Sequence, residues 1–483
     1  MCDVCSRRSI LKMLGASSLM AASSFSFTRH AAAATQTGAV ADRVLLRGGT
    51  LVTMEPGGDF QGDLLIENGK IAAMGANLQV ADAEIIDATG MTVMPGLIDT
   101  HRHTWQTALR GMGVDWTFEE YFGAVHMKLA PRYRPEDTYA GNLLGAISAL
   151  DSGVTTLVDW SHNLISPQHV DGAIQGLRDA GIRAVFAQGP ANEIWRNREK
   201  YKDTAYPREE FDRVRKHVLS SDDSLVTMAL ASREPGWQGS PTAIAKDFAM
   251  ARVLGIRITM HVISQDMEWK RYPSIRHLHE LGALGPDITH VHCTWVEDDE
   301  IEMIKDTGGT VSIAPSADAR LTGMWGSVPT GRLLERGVRP SLSVDSETGV
   351  SGDMFIQMRT AFDVEKAIIN SKFEPRKEGA TLRAHDVLDF ATVQGAKAVG
   401  MENRIGSLRV GKQADILVLR QNDLNLFPSN DPLGAVVVSA HPGNIDMTFV
   451  NGKMVKRNGQ LLVADVEKAK RAVEESRAYL LAN

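Results

Sequence analysis

Pro95-Gly96-Leu97-Ile98-Asp99-Thr100-His101-Arg102-His103 is the stretch from which the rest of the chain is read. Its apolar beginning, extended backwards through Val93 and Met94, has the character of a short buried strand, and two histidines stand two apart at its end. In an extended segment residues i and i+2 point the same way. His101 and His103 therefore present both imidazoles to one side while Arg102 points elsewhere. Two imidazoles on one side can hold a metal ion, although an H-x-H alone also fits two exposed histidines on a strand end.

Working outward, the body of the chain alternates apolar, strand-like runs with helix-length amphipathic stretches. Eight runs are found: Thr92 to Asp99, Thr155 to Asp159, Arg183 to Gln188, Leu225 to Ala231, Arg257 to Ile263, Ile288 to Thr294, Thr310 to Ala314 and Pro340 to Asp345. Strands alternating with helices imply a parallel sheet, and eight of them imply a closed α/β barrel, the (β/α)8 TIM barrel. Chemistry in such barrels sits at the C-terminal ends of the strands. The polar residues obey that rule: His101 and His103 follow the first run, His261 lies in the fifth, His292 in the sixth and Asp345 at the end of the eighth.

The flanks read differently. Val44 to Leu46, Thr50 to Met54, Asp63 to Glu67 and Lys70 to Met74 are short strands, with Asn68-Gly69 as a hairpin signal. Near the other end Ala414 to Leu419 is a strand, and a second Asn-Gly hairpin lies at Asn451-Gly452. The expectation is a small β-sandwich built from both ends, residues 41–94 and 404–463, around a barrel of residues 95–403. A charged amphipathic stretch, residues 464–483, closes the chain as a surface helix.

A length of 483 residues suits one large barrel with an accessory unit, and 43% hydrophobic with 23% charged residues suits a soluble α/β protein. Ser6-Arg7-Arg8-Ser9-Ile10-Leu11-Lys12 resembles a twin-arginine export signal. It is followed by a small apolar stretch from Met13 to Phe27 and an alanine run from Ala31 to Ala34 that offers a cleavage site. That stretch is shorter than the roughly 20 residues a membrane span needs, so no stable membrane anchor is expected. Residues 1–34 are accordingly read as a leader. The expectation is export by the twin-arginine translocase to a periplasmic or secreted location; that route moves folded proteins, commonly ones that load a metal or cofactor in the cytoplasm, and so favours a metalloenzyme. Losing these residues removes four basic and one acidic residue and moves the net charge from −7 to −10, which argues against nucleic acid as a partner. Of three cysteines only Cys293 lies beyond the leader, leaving no internal disulfide, and it reads as a packing residue.

At this point the motifs carry a resemblance. P-G-L-I-D-T-H-R-H, then Val291-His292-Cys293-Thr294-Trp295, Val344-Asp345, and Ile405-Gly406-Ser407-Leu408 through Gly411-Lys412-Gln413-Ala414-Asp415 resemble the amidohydrolase superfamily. They are most similar to its branch of cytosine, guanine and S-adenosylhomocysteine deaminases and triazine hydrolases. The resemblance runs from about Val44 to Gly459. It implies a hydrolase acting on a non-peptide carbon–nitrogen bond of a small molecule. His101, His103, His261 and Asp345 would hold one divalent ion, zinc or iron, since both metals suit such a donor set. Asp345 would also move the proton of the attacking water, and His292 would polarise the electrophile. No lysine occurs between Leu225 and Arg233 to bridge a second ion. Members of the family are often dimers or larger, so a homo-oligomer is an expectation here.

Two departures stand out. The branch usually has a proton-shuttling Glu three residues after the fifth-strand His, where this chain has Ser264, and a histidine-containing segment after the seventh strand, where it reads Ala314-Pro315-Ser316-Ala317-Asp318. Asp266, Glu268 or Glu347 would have to replace the missing Glu for an aminohydrolase, although a solvated loop is the default for Glu347. Trp105, Gln106, His162 and Ser264 are expected to touch substrate; Arg110 reads equally as a loop cap, and His290 as a core histidine. A true aminohydrolase, a lyase or isomerase, and an inactive binding protein on the same scaffold are the alternatives.

Overall fold

Gly96 splits the opening run between two sheets. In the computed structural model, which describes residues 43–190, 192–266, 268–321, 328–371, 382–462 and 465–482, Met91–Pro95 belongs to one sheet and Leu97–Arg102 to another. The single strand expected over Thr92 to Asp99 is thus two. A Cβ on Gly96 would lie 2.1 Å from the Thr155 hydroxyl oxygen and 2.7 Å from its Cβ. Glycine is required because the chain changes sheets against the neighbouring strand.

The first sheet takes strands from both ends of the chain. In order they are β1 (Arg43–Leu51), β2 (Phe60–Glu67), β3 (Lys70–Gly75), β4 (Glu84–Asp87) and β5 (Met91–Pro95), then β14 (Ile416–Arg420), β15 (Ile445–Val450), β16 (Lys453–Arg457) and β17 (Gln460–Leu461). They form one continuous sheet in the order β17-β16-β15-β14-β5-β1-β2-β3, with β4 on β1. The inner-face residues Leu64 and Ile66 share one core with Ile416, Phe449 and Met454 from far along the same sheet. The sandwich is therefore a single sheet folded over itself. Val44 to Leu46 and Thr50 to Met54, read as two strands, are largely one, and its pairing slips between Leu46 and Gly49. Both Asn-Gly turns have left-handed backbones (φ 51° and 78°, 50° and 76°), as a two-residue hairpin demands. A Cβ on Gly452 would lie only 2.5 Å from the Gly69 Cα, so the two turns abut.

The eight parallel strands of the second sheet are β6 (Leu97–Arg102), β7 (Val154–Ser161), β8 (Arg183–Gln188), β9 (Val226–Ser232), β10 (Arg257–Val262), β11 (Ile288–His292), β12 (Thr310–Ile313) and β13 (Ser341–Leu342). They pair in strict sequence order. The ring closes where Arg102 bridges Asp345: the Asp345 N–H donates to the His101 carbonyl and the His103 N–H to the Asp345 carbonyl, both at 2.9 Å. Thr100 adds hydrogen bonds to Ser312, Ser341 and the Leu342 carbonyl at 2.7 to 2.9 Å. Helices cover the outside. Pro241–Leu254 shows their local grammar: Ser240 caps the first turn, proline opens it, and Gly255 at φ 66° ends it.

The C-terminal helix Val466–Leu481 buries Ala469, Val473 and Leu480, and the Arg134 guanidinium stacks 3.8 Å from the Tyr479 ring centre. No described helix is long and apolar enough to cross a membrane. The leader expected at residues 1–34 lies outside the described residues.

Candidate active site

The strands deliver four ligand groups to one point at the barrel mouth. His101 is the penultimate residue of β6, His103 follows the strand, His261 sits on β10 and Asp345 lies three residues past β13. All four are buried, and one ligand atom from each lies within 4.8 Å of the others. The Asp345 Oδ1 is 3.3 Å from Nε2 of both His101 and His103, and Nε2 of His261 is 3.1 Å from Nε2 of His101. Ligand atoms about 2.0–2.2 Å from a shared tetrahedral ion stand a little over 3 Å apart, which is this spacing. The Nδ1 of His103 meets the Trp160 carbonyl at 3.0 Å, which aims its Nε2 inward. The described residues thus contain a metal-binding site of histidines and an aspartate.

Protonation agrees with that donor set. Burial pushes His101 down to about 3 and, with the neighbouring imidazoles, holds His261 well below the usual histidine value. Burial opposes charge on Asp345, yet hydrogen bonds from His101 and His103 keep its carboxyl well below the ordinary range. Neutral imidazoles and an ionised carboxylate are what an ion requires.

Arg102 points away from the metal site and does structural work. Its Nε donates to Asp99 at 2.7 Å, Asp99 accepts the Val344 N–H at 3.1 Å, and the Arg102 Nη2 donates to the Gly352 carbonyl at 2.8 Å. These bonds tie β6 to the loop that carries Asp345. Glu347, expected as a solvated loop residue, is instead buried, pairing with Arg110 at 2.9 Å and Arg102 at 3.6 Å.

His292 faces the metal-site histidines, its ring stacked on His261 at 5.5 Å. Its Nδ1 donates to Asp318 at 2.8 Å, and the other Asp318 oxygen accepts the Ala314 N–H at 2.9 Å. Burial works against charge at His292, but the Asp318 carboxylate outweighs it and raises the imidazole's pKa. Asp318 belongs to the segment that reads as a departure after the seventh strand, and its role was missed. His292, Cys293, Asp345 and Ser264 all have left-handed backbones, a concentration of strain at strand ends typical of functional sites.

Beside this centre lies a recess that opens to solvent. His103, His261, His292 and Asp345 form its floor, and Phe118, Tyr121, Phe122, Trp237, Ile263 and Leu321 its walls, with His126 and His162 between. His126 sits on a π-helical segment, Phe122–Leu129, a geometry that recurs at functional sites. Burial pushes His126 down to about 3 and His162 well below the usual value, so each is a neutral ring with one donor and one acceptor. Among the described lining residues there is no lysine or arginine.

The residues expected to touch substrate divide. His162 lines the recess. Trp105 is sealed behind it, packed edge-on against His126, His162 and Tyr133. Gln106 is buried and bonds to Tyr121 and Ser346 at 2.8 and 2.6 Å, and Ser264 is fully buried behind Ile263. Cys293 and His290 are buried, His290 bonding the Thr310 carbonyl at 3.1 Å. Asp266 and Glu268 lie in the loop past β10, where Glu268 is exposed and pairs with Lys270 at 2.5 Å.

Glu234, Tyr121 and His126 carry no motif and were not read from the sequence. Glu234 stands two residues past β9, just beyond the stretch read for a metal-bridging lysine. It is fully buried, its Oε1 accepts the Ser264 N–H at 2.5 Å and the Ser274 hydroxyl at 3.1 Å, and burial pushes its carboxyl up to about 8.

Comparison with known proteins gives consistent matches. The model of the amidohydrolase family matches residues 92–455. The chain is 31% identical over 445 residues to the 5'-deoxyadenosine deaminase of Methanosarcina mazei, covering 89% of this chain and 98% of that one. It is 29% identical to the 5-methylthioadenosine/S-adenosylhomocysteine deaminase of Symbiobacterium thermophilum, covering 86% and 93%. In fold it is similar to an adenosine deaminase from Xanthomonas campestris with bound zinc (TM-score 0.77, 23% identity, 90% and 98% covered). It is also similar to the atrazine chlorohydrolase of Arthrobacter aurescens complexed with zinc (TM-score 0.76, 21% identity, 90% and 100% covered).

Proposed function

The chain belongs to the amidohydrolase family, and from that premise we propose that it is a metal-dependent hydrolase releasing ammonia from an amino-substituted carbon of a small, neutral heteroaromatic substrate. The observation that carries this reading is the buried convergence of His101, His103, His261 and Asp345 beside an aromatic recess. Curated relatives named as deaminases of adenine nucleosides support the substrate class.

One divalent ion, zinc or iron, would be held by His101, His103, His261 and Asp345; when bound, it supplies the electrostatic activation that makes water nucleophilic near neutral pH. Asp345 takes a proton from the attacking water and returns it to the departing amine. His292, its Nδ1 on Asp318, turns its other ring nitrogen toward the reacting carbon. Phe118, Tyr121, Phe122 and Trp237 grip the ring faces, and neutral His126 and His162 orient its edge. The described walls are mainly aromatic and carry no lysine or arginine, which favours neutral rings; the Arg198 guanidinium packs over Phe122 and Trp237 at 5.3 and 4.9 Å from their ring centres.

Residues 1–34 act as a twin-arginine leader in this reading, and the mature protein works outside the cytoplasm as a homo-oligomer. Conservative replacement of Arg7 and Arg8 by Lys would then hold the full-length chain inside the cell, while export unchanged by it contradicts the assignment.

The test of the catalytic reading is ammonia release by the metal-loaded mature protein across adenine nucleosides, other aminopurines, aminopterins and aminotriazines. Turnover of any of these supports it. Loss of a different leaving group with no ammonia transfers the assignment to another hydrolysis, and no turnover of any kind rejects it.

A further inference from the structure

Glu234 is a buried carboxyl that the catalytic scheme above leaves unused. It stands two residues past β9, fully buried and adjoining the recess wall without lining it: Trp237 of that wall stands three positions on, and Ile263, also of the wall, precedes the Ser264 whose N–H it accepts. Its Oε1 is committed to Ser264 and Ser274, whereas its Oε2 is buried without a hydrogen-bond partner. Polar atoms around it share that state: the Ser264 hydroxyl and the Gln238 side-chain nitrogen are also buried and unpartnered. A buried carboxyl oxygen without a protein partner is costly to leave unmet, and in a carboxyl adjoining a reaction recess it is open to a reacting group. No other carboxylate considered for this part of the mouth is free. Glu268 is exposed on Lys270, Asp266 accepts the N–H groups of its own loop, and Glu347 is held by two arginines.

We propose that Glu234, reaching across from the loop after β9, is the proton-carrying carboxyl of the reaction and fills the role that Ser264 leaves empty at the end of β10. The proposal rests on the hydrolase reading above. Glu234 gives its proton to the ring nitrogen next to the reacting carbon as the water oxygen adds to that carbon. When the carbon–nitrogen bond breaks, it recovers a proton from the added hydroxyl, while the water's other proton departs on the amine through Asp345. One carbon–oxygen bond forms, one carbon–nitrogen bond breaks, water is consumed, ammonia leaves, and Glu234 ends as it began. Desolvation keeps the group protonated up to about pH 8, which suits a resting acid; the titratable neighbours that face it are His292 and Cys293.

Glu234→Gln separates this role from a structural one, because the amide oxygen still accepts from Ser264 and Ser274 while the proton is lost. The variant is expected to keep the fold and metal content of the wild type and to lose about 10²- to 10⁴-fold in kcat on the best substrate. Glu234→Ala combined with Ser264→Glu, which moves a carboxyl to the neighbouring loop, is expected to recover at least about tenfold over Glu234→Ala. E234Q turning over within about threefold of wild type, with an unchanged pH profile, overturns the proposal alone. If E234Q does not fold, failure of the paired substitution to recover activity overturns it. A wild type that turns over nothing overturns the hydrolase reading and this assignment with it.

Discussion

Asp318 favours the charged form of the His292 imidazole, from which it accepts a 2.8 Å hydrogen bond. Removing its charge in Asp318→Asn leaves the four metal-binding side chains untouched. The expected result is unchanged metal stoichiometry with kcat reduced about 10- to 100-fold, the usual effect of losing an orienting partner; an unaltered kcat contradicts the role. Glu234 carries a prediction for stability as well as catalysis. Its carboxyl titrates near 8 when folded, above the ordinary 4.5, so the folded state holds the extra proton between those values. Its contribution is complete below about pH 4.5 and is lost as pH rises through about 8. Thermal melts of wild type and E234Q across that range should diverge, with E234Q gaining relative stability at high pH; parallel curves contradict the burial argument. The His101 and His103 pair was legible because i, i+2 spacing is local, and strand-end position marked the other candidates, but the choice of His261 and Asp345 over His292 came from the family resemblance. Asp318 and Glu234 were not legible, since each is defined by a residue from a different strand, and nothing in either one's own neighbourhood marks it.

Gly96 is where the element scale matters most. One residue without a side chain lets β5 end in the outer sheet and β6 begin in the barrel, so His101 is pinned only a few residues from the junction. Gly96→Ala places a methyl inside the Thr155 side chain, with three of its atoms nearer than 3.0 Å. Overpacking of this kind costs about 1–3 kcal/mol, to be read from urea unfolding; an unchanged midpoint contradicts the tight junction. Hydrophobic pattern located all eight barrel strands but not this break, because the apolar run continues across it. The pattern also gave β13 more length than its two residues, as the stretch up to Asp345 is buried but leaves the ladder for the left-handed turn that aims the carboxylate.

At the scale of the whole molecule, the folded sheet and the barrel are joined by a buried ion pair. Arg183 on β8 donates to both oxygens of Asp415 at 2.8 and 3.0 Å, and one of these also accepts the Asn451 N–H. Both side chains are buried, so Asp415→Ala strands a guanidinium and should destabilise by about 3–5 kcal/mol, with metal content preserved in the folded fraction. Lost metal at full stability contradicts the division between frame and site. The two Asn-Gly turns announced the outer sheet, but their packing against each other joins residues almost four hundred positions apart and is a property of the assembled chain. The central claim, that chemistry depends on one ion held by His101, His103, His261 and Asp345, is tested most directly by metal analysis of the purified protein, followed by chelation and reloading. The account predicts about one zinc or iron per chain, activity lost with the metal and restored by its return, and neither metal nor activity in His261→Ala. A folded wild type that binds no ion, or that works equally well without one, contradicts it.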